Sequence, residues 1–317
     1  LMDQYAAAYP DITRTLYNGE NSGSAFRQWA KGIKAATGDL VWIAESDDYC
    51  DERFLELLVR CFDDEAVLLA YSKCVFVNKD EALLQNEFQI YVSDLECADK
   101  WQKSYVETAH NEVRTALGIK NTIPNASGVL FKRPINMSLL DDESWLSMVV
   151  AGDWVFYLHI IRGGKIAYNV GATNFFRRYE GSTAEVTYKK SIFYKEVGMA
   201  SRAVAALYDV PLRILEQCRD GYKTFYEKMV GQNAEDFALW YAYESILQAR
   251  EKRLPNVLIS TMAFFPGGAE ILPIRLANEF KCQGLAVLLL NAGLMCHEDR
   301  VRRMLHNDVP VIETSSV

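Results

Sequence analysis

The sequence of 317 residues predicts an α/β fold with a largely parallel sheet. Short apolar segments typical of strands alternate along the chain with segments of helical spacing. Half of the residues are hydrophobic, which is enough for a large core. The apolar run Leu40–Ala44 stops abruptly at acidic residues, as expected where a buried strand ends in a cleft at the edge of such a sheet.

The first part of the chain alternates strands with helices. A polar turn at Asn18–Gly23 precedes helical spacing over Ser24–Ala36, which Gly38 ends. The following segments are predicted as a strand at Leu40–Ala44, a helix at Glu52–Phe62 and two further strands at Val67–Tyr71 and Cys74–Val77.

The next hundred residues are less regular. Trp101–Leu117 shows helical spacing, and Val129–Phe131 is predicted as a strand after a polar turn. The apolar run Trp145–Ile161 is interrupted by Asp153, which favours a buried helix over a membrane span. Ile166–Val170 is the last strand predicted in this part.

The chain divides into three regions by composition. Residues 1–182 form the first α/β domain, and residues 183–253 show helical periodicity with little strand signal, as in a helical extension or linker. Residues 254–317 begin a second α/β unit, with a glycine turn at Gly267-Gly268 between a strand and a helix. This unit is expected to be truncated after about one and a half repeats.

Charge and cysteine content indicate which kinds of partner and compartment to expect. The formal charge is −8 and no run of Lys or Arg is present, which argues against nucleic acid as the main partner. The seven cysteines are scattered without a CxxC pair, which indicates free thiols in a reducing cytoplasm. The chain begins without Met and ends just after a strand-like run, so we expect a segment of a longer polypeptide.

Three acids follow the first predicted strand within four residues: Glu45, Asp47 and Asp48. Carboxylates this close repel one another unless a cation joins them. Oxygen ligands of this kind suit Mg²⁺ or Mn²⁺, and a phosphate-bearing substrate is the natural partner of such a cation. The alternative is a solvated acidic turn that caps the next helix.

Five short motifs occur in a characteristic order over about 180 residues: Asn21-x-Gly23 before a helix, Thr37–Val41, Glu45–Asp48, Asn125–Gly128 and Gly152–Trp154. In this order they resemble the inverting family-two glycosyltransferases of GT-A fold. The resemblance implies an incomplete GT-A, Rossmann-like mixed sheet with flanking helices in the first domain. The first strand and first helix of that fold are expected upstream of residue 1.

The resemblance implies roles for the acids. Asp48 is the metal-binding acid of a DXD-like motif, and Asp47 contacts the metal or the donor ribose, with Mg²⁺ or Mn²⁺ as the cofactor. Asp153 is the base that takes a proton from the acceptor hydroxyl. The alternative for Asp153 is an ordinary helix cap, which does not exclude catalysis.

The resemblance also implies a set of donor-binding residues: Asn21, Gly23, Asp47, Asn125, Ser127, Arg177, Arg178 and Tyr179. Asn125 and Ser127 stand on a polar turn and are equally compatible with a structural turn. The family commonly has an Arg-x-His pattern after the last strand, and Tyr179 stands where the His is expected. A phenol is a poor metal ligand, so Arg177 or Arg178 is expected to supply the positive charge for phosphate.

Residues 254–317 resemble the start of the family-four glycosyltransferases of GT-B fold, on the Gly267–Glu270 loop after a first strand. This resemblance implies a truncated second Rossmann-like unit, to which we assign no activity.

The predicted function is metal-dependent, inverting transfer of a hexose-like sugar from a nucleotide diphosphate sugar to a glycan or lipid-linked glycan, in surface polysaccharide synthesis. The expected location is the cytoplasm, with peripheral association at the inner face of the membrane left open and no transmembrane segment. The alternative is a non-catalytic or degenerate module that binds nucleotide sugar or glycan in support of a second transferase domain. An α/β nucleotidyltransferase is a third possibility.

Overall fold

A computed structural model describes residues 2–178, 181, 186–231, 233–293 and 297–314 of the chain. The fold is mixed α/β. Within the described residues the strands form one sheet of six strands and one of three, and most helices pack around the larger sheet or beyond its last strand.

The larger sheet is mixed. Its strands are β1 (Leu40–Trp42), β2 (Tyr49–Cys50), β3 (Val67–Val77), β4 (Tyr105–Thr108), β5 (Val129–Lys132) and β6 (Lys165–Arg177). The order is β1-β5-β3-β6-β2, and β4 also pairs with β6. Only β3 and β6 run parallel, and the remaining pairs are antiparallel. The expectation of a largely parallel sheet is therefore wrong here, because β5 returns antiparallel between β1 and β3.

Strand β3 is the central strand. Its eleven residues are almost all buried, and it pairs with β6 along its whole length. The sequence predicts two strands here, but the structure has one, with a shift of register between Ser72 and Lys73. The apolar pattern breaks at the same two residues, where extra residues of β6 shift the register.

The helices of the first domain are mostly short. They are α1 (Met2–Ala8), α2 (Ala25–Ala35), α3 (Phe54–Val59), α4 (Glu87–Val92), α5 (Ala109–Glu112), α6 (Glu143–Leu146) and α7 (Gly152–Ile160). Helix α2 starts at Ser24, whose side chain accepts the Phe26 amide. Its apolar face, including Trp29 and Ile33, is buried in the main core.

Residues 101–117 are not one helix. They contain strand β4, the single turn α5 and a π-helical turn at Val113–Leu117. The helical spacing of the sequence predicts only the second half, because β4 is set by its pairing with β6.

Helix α7 is buried almost all round, which agrees with the interpretation of Trp145–Ile161 as a core segment. Phe156 stacks on Trp145 with ring centroids 5.0 Å apart. In the described residues, none of the helices combines the length and the apolar character that crossing a membrane requires.

Between residues 191 and 251 the structure describes four helices: α8 (Ser191–Leu207), α9 (Leu212–Met229), α10 (Ala234–Tyr241) and α11 (Tyr243–Glu251). Helix α8 is the central one, and a Cβ at Gly198 would lie 2.3 Å from the Tyr241 carbonyl oxygen. Glycine therefore allows α8 to approach the end of α10 closely.

The second sheet is parallel, with β7 (Asn256–Thr261), β8 (Ala286–Asn291) and β9 (Val311–Glu313) in that order. Helix α12 (Gly268–Cys282) connects β7 to β8, and α13 (Asp299–Arg302) precedes β9. The buried side chain of Arg162 joins this unit to the first, since it donates to oxygen atoms of Leu207, Leu254, Pro255, Asn256 and Gly284. The division of the chain at residues 182 and 253 stays a prediction.

Candidate functional site

The candidate site begins at the turn after β1. The backbone amide of Asp48 donates to the Glu45 carbonyl, which closes the turn. Strand β1 pairs with β5, and the Trp42 indole donates to the Ser127 carbonyl at 2.8 Å. These contacts place the acidic turn beside the polar turn that precedes β5.

Asp48 is the centre of a hydrogen-bond network that joins three separate parts of the chain. Its Oδ2 accepts from Asn125 Nδ2 at 2.6 Å and from Ser127 Oγ at 2.7 Å. Its Oδ1 accepts from the backbone amide of Arg177, at the end of β6, at 3.0 Å. The structure thus brings together four of the residues that the sequence predicts for the site, although their roles toward a donor stay a prediction.

The guanidinium of Arg177 holds the acidic turn in place through hydrogen bonds. It donates to the carbonyl oxygens of Asp47 and Lys79 and pairs with Glu81 at 3.0 Å. The Arg178 guanidinium pairs with Glu87 at 3.2 Å. Contact of either guanidinium with a donor phosphate stays a prediction, and it would require these side chains to change partners.

Two groups of predicted donor-binding residues have no further structural support. Asn21 and Gly23 contact each other within an exposed turn, where Asn21 Oδ1 accepts the Gly23 amide at 3.0 Å. Gly23 has φ 72°, a conformation that favours glycine. Tyr179 lies outside the described residues.

Asp153 lies in the first turn of α7 and is partly exposed. Its Oδ2 accepts from Asn121 Nδ2 at 2.9 Å, and its Oδ1 accepts from the Trp154 amide at 2.7 Å. The Trp154 indole in turn donates to the carbonyl of Leu117, in the π-helical turn. The carboxylate is therefore held in one orientation by the segment before β5.

The acids of the turn after β1 and Asp153, in the first turn of α7, lie in one electrostatic environment. Burial raises the pKa of Glu45 to about 7, and the charges of Asp48, Asp47 and Asp153 add to this effect. Burial also raises the pKa of Asp48, against the opposing effect of its three hydrogen bonds. The Glu45 carboxyl thus lies within electrostatic range of all three aspartates.

Burial raises the pKa of Asp153 to about 7. Its hydrogen bonds from Trp154 and Asn121 oppose the shift, and the charge of Glu196 adds to it. A carboxyl group with such a pKa is suited to proton transfer near neutral pH.

Asp47 and Asp48 can supply one or two ligands to a cation whose other ligands come from substrate phosphates and water. In the ranges that the structure covers, no three His, Cys, Asp or Glu side chains are grouped as a metal site. Asp48 uses three acceptor positions of the roughly four on a carboxylate, and the Asp47 side chain is exposed. A Mg²⁺ ion commonly binds one or two carboxylates together with substrate phosphates and water, which this arrangement allows.

Sequence reasoning missed two residues near Asp153. Asn121 contacts the carboxylate directly, but it stands in no recognisable pattern. Glu196 accepts the backbone amides of residues 149–151, just before α7. Its signal was detectable, because it is an acid four residues before Ala200 and eight before Val204 on the apolar face of a helix.

Comparisons with known proteins find one matching family model, which covers the first part of the chain. The family model described as Glycosyl transferase family 2 matches residues 1–110, about a third of the chain. A search of curated proteins finds no match. The resemblance of residues 254–317 to family-four glycosyltransferases is not confirmed and stays a prediction.

Solved structures of S. aureus TarS share the fold at 14% sequence identity. TarS 1-349 in complex with UDP-GlcNAc has a TM-score of 0.51, over 89% of this chain and 74% of that chain. TarS 1-349 alone has a TM-score of 0.50 over the same shares. TarS 1-349 in complex with UDP has a TM-score of 0.50, over 78% of this chain and 74% of that one. Residues 1–110 thus match the model of glycosyl transferase family 2, and the chain shares the fold of the TarS structures.

Proposed function

We propose that this protein transfers a sugar from a nucleotide diphosphate sugar to a glycan acceptor, with inversion at the anomeric carbon. The observation that supports this most directly is that two separately fixed carboxylates, Asp48 and Asp153, both lie within electrostatic range of Glu45. Asp48 is fixed by Asn125, Ser127 and the end of β6, and Asp153 is fixed separately by Asn121. One acid is thus available for the donor and the other for the acceptor.

The proposed reaction is a single displacement. The acceptor hydroxyl oxygen forms a bond to the anomeric carbon while the bond from that carbon to the diphosphate oxygen breaks, and the nucleoside diphosphate leaves with the electron pair. Asp153 takes the hydroxyl proton, for which its pKa of about 7 is suitable. Asn121 keeps the carboxylate oriented during this step.

The donor end of the proposed site is the turn of Asp47 and Asp48. These two carboxylates would hold Mg²⁺ or Mn²⁺, which supplies positive charge against the negative charge of the leaving diphosphate. Ser127 links the donor turn to β5, since its hydroxyl contacts the Asp48 carboxylate and also accepts the Glu45 amide at 3.0 Å.

We propose a uridine diphosphate sugar as the first donor to test, because TarS 1-349 has been crystallised with UDP-GlcNAc and with UDP. The proposed acceptor is a glycan or a lipid-linked glycan of a surface polysaccharide. The proposed place of action is the cytoplasm, at the inner face of the membrane where a lipid-linked acceptor would be present.

The test is release of nucleoside diphosphate and formation of glycosylated product by the purified full-length protein, with Mn²⁺ or with EDTA. We expect release by the wild type and its loss in Asp48→Ala and in Asp153→Asn. Asp141→Asn is the control, because Asp141 is an exposed acid whose partner is Lys34. Release that is unchanged in both Asp48→Ala and Asp153→Asn would contradict the proposal. Donor binding without turnover in the wild type would instead favour the non-catalytic module.

A further inference from the structure

The carboxylate of Glu196 is buried in an unusual place. Its residue is only 2% exposed, and it lies on α8, in the helical region after the first sheet. It accepts the amides of Val149 at 2.8 Å, Val150 at 2.7 Å and Ala151 at 3.1 Å. Among the described residues, none of the ion pairs includes it. Burying a carboxylate costs free energy unless several hydrogen-bond donors satisfy it, and these three amides are such donors.

These three amides immediately precede the helix that carries Asp153. Helix α7 begins at Gly152, and its N-cap residue, Ala151, has no side chain that could cap it. Glu196 therefore places negative charge from another helix at the start of α7 and accepts the amides of the N-cap residue and of the two residues before it. Asp153 follows two residues after Ala151, so the position of its backbone depends on this contact.

The start of α7 is also restrained from the opposite side. A Cβ on Gly152 would lie 2.4 Å from Cδ2 of Phe26, whose ring is packed edge-on against Trp29 with centroids 5.1 Å apart. Residues 149–152 thus lie between an aromatic cluster and the buried Glu196 carboxylate. We expect the loss of either contact to let this segment move.

We propose that Glu196 is a positioning residue for sugar transfer, which acts by holding the segment 149–151 and through it the Asp153 carboxylate. This inference rests on the proposed function, because it concerns the base of that reaction. It assigns to helix α8, in the helical region after the first sheet, a part in the activity of the first domain.

A residue that positions Asp153 also affects the pKa of that carboxyl group, whereas a residue that only stabilises the fold does not. The titratable groups that interact electrostatically with Asp153 are Glu45 from the turn after β1, Tyr91 from α4, Tyr157 from its own helix and Glu196 from α8. The charge of Glu196 raises the pKa of Asp153. Its removal should therefore move the acidic limb of the pH profile of kcat/KM to lower pH, because the base then remains ionised in more acidic solution.

The experiment compares Glu196→Gln with Glu196→Asp and with Asp308→Asn. Asp308 is the matched control, because it is a buried carboxylate that accepts the Ile135 amide at 3.0 Å at the contact with the second unit. We expect Glu196→Gln to lower kcat at least tenfold, to leave the KM for the donor within twofold and to move the acidic limb to lower pH. Asp308→Asn should lower Tm and leave kcat and the pH profile unchanged.

Glu196→Asp retains the charge on a shorter side chain, so we expect a pH profile like that of the wild type and a smaller fall in kcat. Circular dichroism checks that each variant is folded, and Glu196→Asp remains informative if Glu196→Gln does not fold. In an Asp153→Asn background, Glu196→Gln should cause little further loss, because both substitutions act through the same group.

Two failures are distinguishable. A wild-type chain that releases no nucleoside diphosphate would defeat the proposed function. An active wild type together with unchanged kcat and pH profile in Glu196→Gln would defeat only the role of Glu196.

Discussion

Two helices of this molecule begin at a glycine, and their surroundings differ completely. Gly152 starts α7, where a Cβ would lie 2.4 Å from the Phe26 ring. Gly268 starts α12 in the second unit, where no atom lies within 4 Å of a Cβ. The first helical residue thus has a closely packed Cβ position in one unit and an open one in the other.

The carboxylates of the two helix starts differ in the same way. Asp153 is held by Asn121 and by its neighbour's amide, and its pKa is raised to about 7. Glu270 occupies the first turn of α12, and none of the hydrogen bonds of the described residues is made by its side chain. The comparison indicates that a helix start becomes a site through support from other elements, and a glycine turn alone does not create one.

The largest expected effect is that of Asp153→Asn. We expect kcat to fall by about 100- to 10,000-fold, since an amide cannot take the acceptor proton. Affinity for the nucleoside diphosphate, measured by calorimetry, should remain. Glu270→Gln in the second unit should leave kcat unchanged, and an equal loss in both variants would remove the distinction between the two helix starts.

Gly152→Ala is expected to destabilise the protein by about 1 to 3 kcal/mol, because a methyl group must displace the Phe26 ring from a packed cluster. It should also lower kcat, since Asp153 is the next residue. Urea unfolding and initial rates provide the two measurements. Normal stability and normal turnover together would show that the aromatic cluster does not restrain this turn.

A pH dependence of stability provides a test without substrate. The pKa of Asp153 is raised in the folded protein, so the folded state holds this proton more tightly and its stabilising contribution is lost as pH rises from about 4 through 7. Relative to the wild type, Asp153→Asn should therefore gain about 1 to 2 kcal/mol of unfolding free energy between pH 5 and pH 8. Glu270→Gln is the control, and a gain of the same size there would contradict the burial of Asp153.

The smallest effect is expected for Gly268→Ala. Its helical position and open surroundings mean that alanine stabilises the folded protein by less than about 1 kcal/mol, chiefly by restricting the unfolded chain. Urea unfolding beside Gly152→Ala measures the contrast. A clear destabilisation at Gly268 would show that this helix start has a packing partner after all.

Local patterns predicted much of this structure. The apolar run before Asp47 and Asp48 is a strand, the second half of Trp145–Ile161 is a buried helix, and helical spacing after residue 190 corresponds to four helices. These features depend on spacing within ten to twenty residues, which a sequence displays directly. Residues 105–108 were not predicted as a strand, because their conformation is set by pairing with β6.

By itself, the sequence determined several of the strands and helices and which strand end carries the acids, because backbone geometry and side-chain burial repeat with short periods. Only the tertiary structure decided that Asp48 meets Asn125, Ser127 and the end of β6, and that a carboxylate 43 residues after Asp153 supports its helix. Such contacts join positions far apart in the chain. No local period encodes them, since they arise only when sheet order and helix packing bring those positions together.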